Sequence, residues 1–326
     1  MKILITGANG FVGSNLIENF INKNYSVRCL VHKNVSARLK NIKNIELIYG
    51  DLLNINTIKN AVKNIDYIFH CAAVLRVTQH HIFYRVNQYG TKNLAETVYK
   101  YNSGIKKFVY ISSQAAMGPC NNFSYKSVED CSPVSDYGKS KLLGEKELLK
   151  YKNKFPVIIL RPAAIYGPKD KDLFPFFKLA QSKLFPVLSG NNGNCFIQLL
   201  FVNDLVRICE LIVEKEIKND IYFISEEKPY NWNEIGNIIS EITGKHVYKI
   251  KIPQWLTYSI AYFLEKTTKL LQNKPSLLNT DKVKELCQKY WLGNVDKAKN
   301  EFKFEFTQFK TGAKLTYEWY KKNKWL

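Results

Sequence analysis

The chain is poor in acid. Its 326 residues hold 28 Asp and Glu against 48 Lys and Arg, a formal net charge of +20. Arginine is missing from residues 245–326, where 17 lysines stand against 7 acidic residues, a surplus of 10 in the last quarter. A basic tail can bind nucleic acid or an anionic lipid surface. These lysines are dispersed and no nucleic-acid motif accompanies them, so a solvated surface and no nucleic-acid partner are expected. The seven cysteines (29, 71, 120, 131, 195, 209 and 287) include no C-x-x-C pair. Neither a disulfide framework nor a metal site is expected, and a reducing, cytoplasmic setting follows. No apolar run reaches the ~18–20 residues of a membrane span, and the N-terminal one breaks on Gly7, too short for a signal peptide. Repeats and low-complexity segments are also missing. What remains, 46% hydrophobic and 13% aromatic, is the composition of a folded globular chain large enough for one α/β unit or one and a half domains.

The most informative segment comes first. The apolar run Lys2–Thr6 leads into Gly7-Ala8-Asn9-Gly10-Phe11-Val12-Gly13, and an amphipathic helical pattern (Val12, Leu16, Ile17, Phe20) begins inside the motif. Strand, glycine turn and helix N-terminus in this order make a phosphate cradle. Glycines let the backbone approach a pyrophosphate, and the free helix N–H groups favour its charge. A dinucleotide cofactor is the reading.

Further strand-like runs follow at Ser26–Val31, Ile45–Tyr49, Tyr67–His70, Lys107–Ser112, Val157–Arg161 and Ile221–Ile224. Helical patterns fill the gaps at about 14–22, 57–63, 90–101, 138–151 and 204–214. This alternation predicts an α/β fold, a doubly wound parallel sheet with ligands gathered at the carboxyl ends of its strands. After Arg161 the pattern changes. Pro162, Pro168, Pro175 and Pro186, with Gly167, Gly190 and Gly193, mark irregular chain around a helix near 173–182. A sheet-like return at Ile197–Val202 precedes a mostly helical region from about 231. Residues 1–161 plus 197–224 are read as the dinucleotide-binding domain, and 162–196 plus 225–326 as a smaller, mostly helical substrate-binding domain.

Tyr137 and Lys141 lie four apart at a helix start, on one face of that helix. A neighbouring ammonium stabilises a phenolate, which suits Tyr137 to pass a proton to or from a substrate oxygen. Strand Lys107–Ile111 ends in Ser112-Ser113, placing a hydroxyl where a substrate would lie. Here the chain resembles the extended short-chain dehydrogenase/reductases, the NAD-dependent epimerase/dehydratase family, whose larger domain is a Rossmann fold. Thr6-Gly7 through Gly13 looks like the family's phosphate loop. Gly50-Asp51-Leu52 is similar to its adenine-side turn, and His70-Cys71-Ala72-Ala73 to the strand end that passes the cofactor. Asn87-Gln88-Tyr89-Gly90-Thr91 resembles its N-x-x-G-T motif and Tyr137-x-x-x-Lys141 its catalytic pair. Arg161-Pro162-Ala163-Ala164-Ile165-Tyr166-Gly167-Pro168 and Phe201–Leu205 match later signatures. The resemblance implies that Tyr137 is the general acid/base, that Lys141 lowers its pKa and bonds the nicotinamide ribose, and that Ser113 holds the substrate oxygen. Gly7, Asn9, Gly10, Phe11, Val12, Gly13, Asp51, Leu52, Cys71, Ala72, Ala73, Asn87 and Pro162 join them as cofactor contacts, with Asn87 leaning to a structural role. It also suggests a homodimer through the helices at 90–101 and 138–151.

NAD-preferring sites usually end the second strand on a carboxylate. Here Val31 runs into His32 and Lys33, which suits a 2′-phosphate, so NADP(H) is favoured with NAD(H) as the alternative. Nucleotide-sugar members of the family generally carry an asparagine at Ala164 and an arginine at Ile197, and dehydratases an Asp-Glu pair at Gln114-Ala115. These departures point to the branch of 3-beta-hydroxysteroid dehydrogenases and dihydroflavonol reductases, acting on bulky, mostly apolar small molecules. A nucleotide-sugar epimerase with retained NAD is the alternative, and a non-catalytic dinucleotide sensor a more distant one. Leu256, Ile260, Phe263, Leu264, Leu270 and Leu271 recur at helical spacing within 252–271, near Trp255 and several lysines. That helix is expected to pack onto the substrate domain, with peripheral contact to a membrane as the alternative.

Overall fold

The computed structural model describes residues 1–188, 195–271 and 275–326. Gly190 and Gly193 lie outside them. All seven strands read from the sequence form: β1 Lys2–Thr6, β2 Ser26–Val31, β3 Ile45–Tyr49, β4 Tyr67–His70, β5 Lys107–Ile111 and β6 Val157–Pro162. Then come the short β7 Ala164–Tyr166, β8 Leu184–Leu188, β9 Phe196–Ile197 and β10 Leu199–Phe201, and finally β11 Ile221–Ile224. The main sheet runs β11-β6-β5-β4-β1-β2-β3, with every pair parallel.

Alternate residues of each strand feed two apolar layers, as a sheet covered on both faces requires. Ile3, Ile5, Val109, Ile158 and Leu160 pack beneath Leu16, Phe20, Leu205 and Ile208 of helices Phe11–Asn22 and Val202–Glu214. Leu4, Phe108, Val157 and Ile159 face Ile58, Leu94, Val98 and Leu148 of helices Ile55–Val62, Gly90–Tyr101 and Asp136–Leu149. A third cluster, including Tyr166, Phe177, Phe185, Trp232, Ile239, Phe309 and Tyr320, comes wholly from the later half of the chain.

Three differences from the sequence reading stand out. Strand β5 stops at Ile111, which frees Ser112 and Ser113 for the turn that follows. The helix expected from residue 90 is preceded by helical turns from His81, the second of them a π-helical turn over Tyr84–Tyr89. The segment 252–271 is not helical throughout. Tyr248–Ile252 is a strand (β13, after β12 at Tyr230–Asn231) paired with β8, and the helix runs over Gln254–Leu270. Pro253 divides them, since its fixed φ and missing N–H suit the start of a helix better than a ladder.

Candidate active site

The strand order reverses between β1 and β4, and the loops leaving these two strands touch there. Gly7 holds φ +71°, and a Cβ on it would stand 2.6 Å from the Ala72 backbone nitrogen. One on Gly13 would lie 2.4 Å from the Gly7 carbonyl oxygen. A side chain at either place would force backbone apart. Gly10 caps helix Phe11–Asn22 without a side-chain acceptor, so the helix's first N–H groups are left to whatever enters the crevice. The glycine loop, with Phe11 and Val12, forms one end of a cavity of about 990 Å³. Geometry, dipole and uncapped donors fit a dinucleotide pyrophosphate.

Asn9 braces the loop beyond β2, donating to the Asn34 carbonyl oxygen at 2.8 Å and accepting from the Ser36 N–H at 2.8 Å. His32, Asp51, Leu52, Cys71, Ala72, Ala73 and Pro162 all line the cavity. The His32 ring lies 3.4 Å from the Asp51 carboxylate. Lys33 is exposed and not part of the wall, and neither is Asn87. The Asn87 side chain is buried, accepting from the Val74 N–H at 2.9 Å and donating to the Val74 carbonyl and the Ser140 hydroxyl. It fastens the β4 loop to the helix carrying Tyr137.

Ser113, Tyr137 and Lys141 meet on the same wall. Ser112 is committed elsewhere, donating to Glu145, which also pairs with Arg161 in a fully buried bridge. Burial raises the Tyr137 phenol, the Glu285 carboxylate raises it further, and the adjacent Ser113 hydroxyl opposes both. Burial pushes the Lys141 ammonium down to about 7 against the pull of Glu145. Lys141 donates to the Ile111 carbonyl at 2.8 Å and sits 4.1 Å from the centre of the Tyr110 ring. The expected lowering of the Tyr137 pKa is therefore not what this structure shows. Burial and Glu285 dominate, and the lysine's nearest partners are a carbonyl and a ring. Cys71 is no nucleophile here, since burial pushes its thiol up to about 12.

The profile of the NAD dependent epimerase/dehydratase family matches residues 3–225, from β1 to the end of the main sheet. The chain belongs to that family. It is an NAD(P)-dependent oxidoreductase of the extended short-chain dehydrogenase type. Among its relatives is a UDP-glucose 4-epimerase of Vibrio cholerae, 28% identical over 266 residues, with 78% of this chain and 79% of that protein covered. A decarboxylating sterol-4-alpha-carboxylate 3-dehydrogenase of Candida albicans is 26% identical, with 98% and 97% covered. A ceramide reductase of Caulobacter vibrioides is 25% identical, with 99% and 96% covered. In fold the chain is similar to a UDP-glucose 4-epimerase of Thermotoga maritima, with TM-score 0.79, 22% identity, and 99% and 100% of the two chains covered.

In this family member the wall beyond Tyr137 is mostly apolar: Ala164, Leu173, Phe176, Ile197, Trp232 and Ile235 all face the cavity. Three residues at or behind this wall take parts that the sequence did not reveal. Gln114, buried and lining the cavity, has a side-chain nitrogen without a partner among the described residues. Asp281 accepts from the backbone N–H groups of Asp136 (2.8 Å) and Tyr137 (3.1 Å), capping the helix of Tyr137 from 144 residues away. Glu285 accepts from the hydroxyl of Ser135, the N-cap of the same helix, at 2.6 Å and pairs with Lys282 at 2.8 Å. At the rim Arg76 pairs with Asp172 and donates to the Leu277 carbonyl at 3.3 Å. His80, Asp136 and Asp281 offer donor atoms within 4.8 Å of one another. Both Asp281 oxygens are already used in helix capping, and the Asp136 carboxylate is shared by His80 and the Tyr84 hydroxyl.

Proposed function

We propose that this enzyme is a reductase or alcohol dehydrogenase for a medium-sized, largely apolar carbonyl or alcohol. The observation that carries the reading is the apolar wall beyond Tyr137, where Ala164 and Ile197 present no group to a diphosphate. The sterol and ceramide named for two relatives covered over nearly their whole length are substrates of that kind. NADP(H) is the favoured cofactor, because β2 ends at Val31 and runs into His32 and Lys33, with no carboxylate at the strand end.

The glycine loop and the first turn of helix Phe11–Asn22 would hold the pyrophosphate, and His32 and Asp51 the adenosine end. The nicotinamide, when bound, supplies or accepts the hydride. In reduction Tyr137 gives its phenolic proton to the substrate oxygen as the carbon receives hydride. Its high pKa keeps it protonated and ready to act as an acid at neutral pH. Ser113 holds that oxygen beside the phenol, and Gln114, on the same wall, would offer its unpaired side-chain nitrogen as a further donor. Lys141, whose ammonium burial holds well below its ordinary range, stabilises the phenolate left behind and returns its proton.

A second reading, a nucleotide-sugar epimerase with retained NAD, is favoured by the Vibrio relative. Mass spectrometry of nucleotide released from freshly purified protein separates the two. Protein that exchanges added dinucleotide freely supports the reductase, whereas near-stoichiometric NAD that survives dialysis supports the epimerase. Tyr137→Phe is expected to abolish turnover while leaving dinucleotide binding within about twofold. Unchanged turnover would remove Tyr137 from the chemistry and favour the sensor alternative.

A further inference from the structure

Helix Gln254–Leu270 is covered on one side only. Thr257 and Ala261 are buried, and Thr257 and Ile260 contribute to the cavity wall together with Ile252, Leu277 and Leu278. The opposite side is open: Trp255 is 69% exposed, Phe263 72% and Leu270 82%, with Tyr262 and Leu271 also in solvent. Strand β13 continues the surface through exposed Tyr248 and Ile250. The expectation that this helix simply packs onto its domain holds for the side that carries Thr257 and Ala261.

The charge around the patch is mostly of one sign. Residues 245–280 contain six lysines and one acidic residue, Glu265. Glu265 is partly buried and accepts from the Thr280 hydroxyl at 2.7 Å. The exposed Lys249, Lys251 and Lys266 accompany the apolar side chains. A second copy of the chain would bring the same positive charge to such a contact. An anionic bilayer meets both demands, with hydrocarbon for the Phe and Leu side chains, an interface for Trp255 and Tyr262, and phosphate for the lysines. Among the described residues no helix is long and apolar enough to cross a membrane. Contact would be made from the side.

We propose that helix Gln254–Leu270 and strand β13 dock the enzyme on an anionic lipid surface, and that the cavity beside Ile260 takes its substrate from that surface. The second half rests on the apolar-substrate reading given above. The helix has one face toward the cavity and the other toward the proposed lipid surface. An apolar molecule could then pass from bilayer to cavity beside Ile260 with little exposure to water, avoiding the cost of hydrating its surface.

The test uses the full chain with vesicles of phosphatidylcholine alone and of two parts phosphatidylcholine to one part phosphatidylglycerol. Co-sedimentation with the anionic vesicles, weakened by salt and accompanied by a blue shift of tryptophan emission, is expected. Phe263→Asp and Leu270→Asp are each expected to weaken partitioning at least about tenfold. Lys251→Glu with Lys266→Glu should weaken it on anionic vesicles and leave the weaker neutral-vesicle binding unchanged. Dinucleotide binding, read by quenching of protein fluorescence, should be unaltered in all of them, because none of these residues lines the cavity. Absence of parent binding at low salt, or equal binding by parent and both aspartate variants, overturns the proposal. So does concentration-dependent self-association that the aspartate variants abolish, since that assigns the face to a second copy. Turnover of a water-soluble apolar ketone without vesicles tests the substrate reading separately. Turnover without vesicle binding removes the docking and keeps the reductase; vesicle binding without turnover does the reverse.

Discussion

Gln114 follows Ser113 directly, where the dehydratases of this family carry an aspartate. Its side-chain nitrogen is buried with no partner among the described residues, and an unpaired buried amide costs stability until a ligand satisfies it. Gln114→Leu is expected to raise KM for the substrate about three- to tenfold, the worth of one neutral hydrogen bond, with dinucleotide affinity unchanged. Steady-state kinetics beside direct dinucleotide titration checks this. An equal loss of dinucleotide affinity would place the group on the cofactor instead. Asp170, also on the cavity wall, has its carboxyl pushed up to about 7 by burial, the Asp172 charge adding to it against backbone donors. A raised carboxyl favours the folded state below its unfolded pKa near 4, and that advantage is lost as pH rises to about 7. Asp170→Asn cannot ionise, so its melting temperature relative to the parent should rise between about pH 4 and about pH 7 and level off above. Thermal melts across that range show the sign. The sequence marks Gln114 only as a departure from the dehydratases and Asp170 not at all, because burial and the lack of a partner are properties of the assembled wall.

At the scale of elements, the helix bearing Tyr137 and Lys141 is readable from sequence, and its N-cap Ser135 accepts from the Gly138 N–H as a cap should. Its second cap is not readable. Asp281 comes from helix Thr280–Leu286 and takes the two backbone donors that Ser135 leaves. Asp281→Ala is expected to cost about 1–2 kcal/mol of stability and to lower kcat more than it weakens dinucleotide binding, since the helix start carries the proton donor and the glycine loop is remote. Denaturant unfolding with single-turnover kinetics separates these effects. A variant with unchanged kcat would make Asp281 a stabilising cap and nothing more. The seven strands were legible for a simpler reason. Each is a short apolar run bounded by turn residues, and a sheet covered on both faces leaves such runs no other place.

For the whole molecule, the preferred dinucleotide binds only the folded chain. At about a hundred times its dissociation constant it is expected to add about 2.7 kcal/mol of stability. NADPH should raise the melting temperature more than NADH at equal concentration, and His32→Asp with Lys33→Ser should reverse that order. An unchanged order would take the β2 end out of cofactor selection. Lys33 is the weaker half of this prediction, because its side chain is not on the cavity wall.

The sequence by itself determined the parallel sheet, the phosphate cradle and the meeting of Ser113, Tyr137 and Lys141 on one wall. Alternation within strands, glycine where backbones must touch and four-residue spacing at a helix start account for the sheet, the cradle and the Tyr137–Lys141 pair, and Ser113 joined them through the family resemblance. Tertiary structure decided the rest. It raised rather than lowered the Tyr137 phenol by burying it beside Glu285, a residue 148 positions further along. It turned Asn87 inward as a fastener and left Lys33 outside the wall. It also covered helix Gln254–Leu270 on one side and exposed the other. Charge, burial and pairing across such distances depend on which surfaces the fold brings together, and no local pattern encodes them.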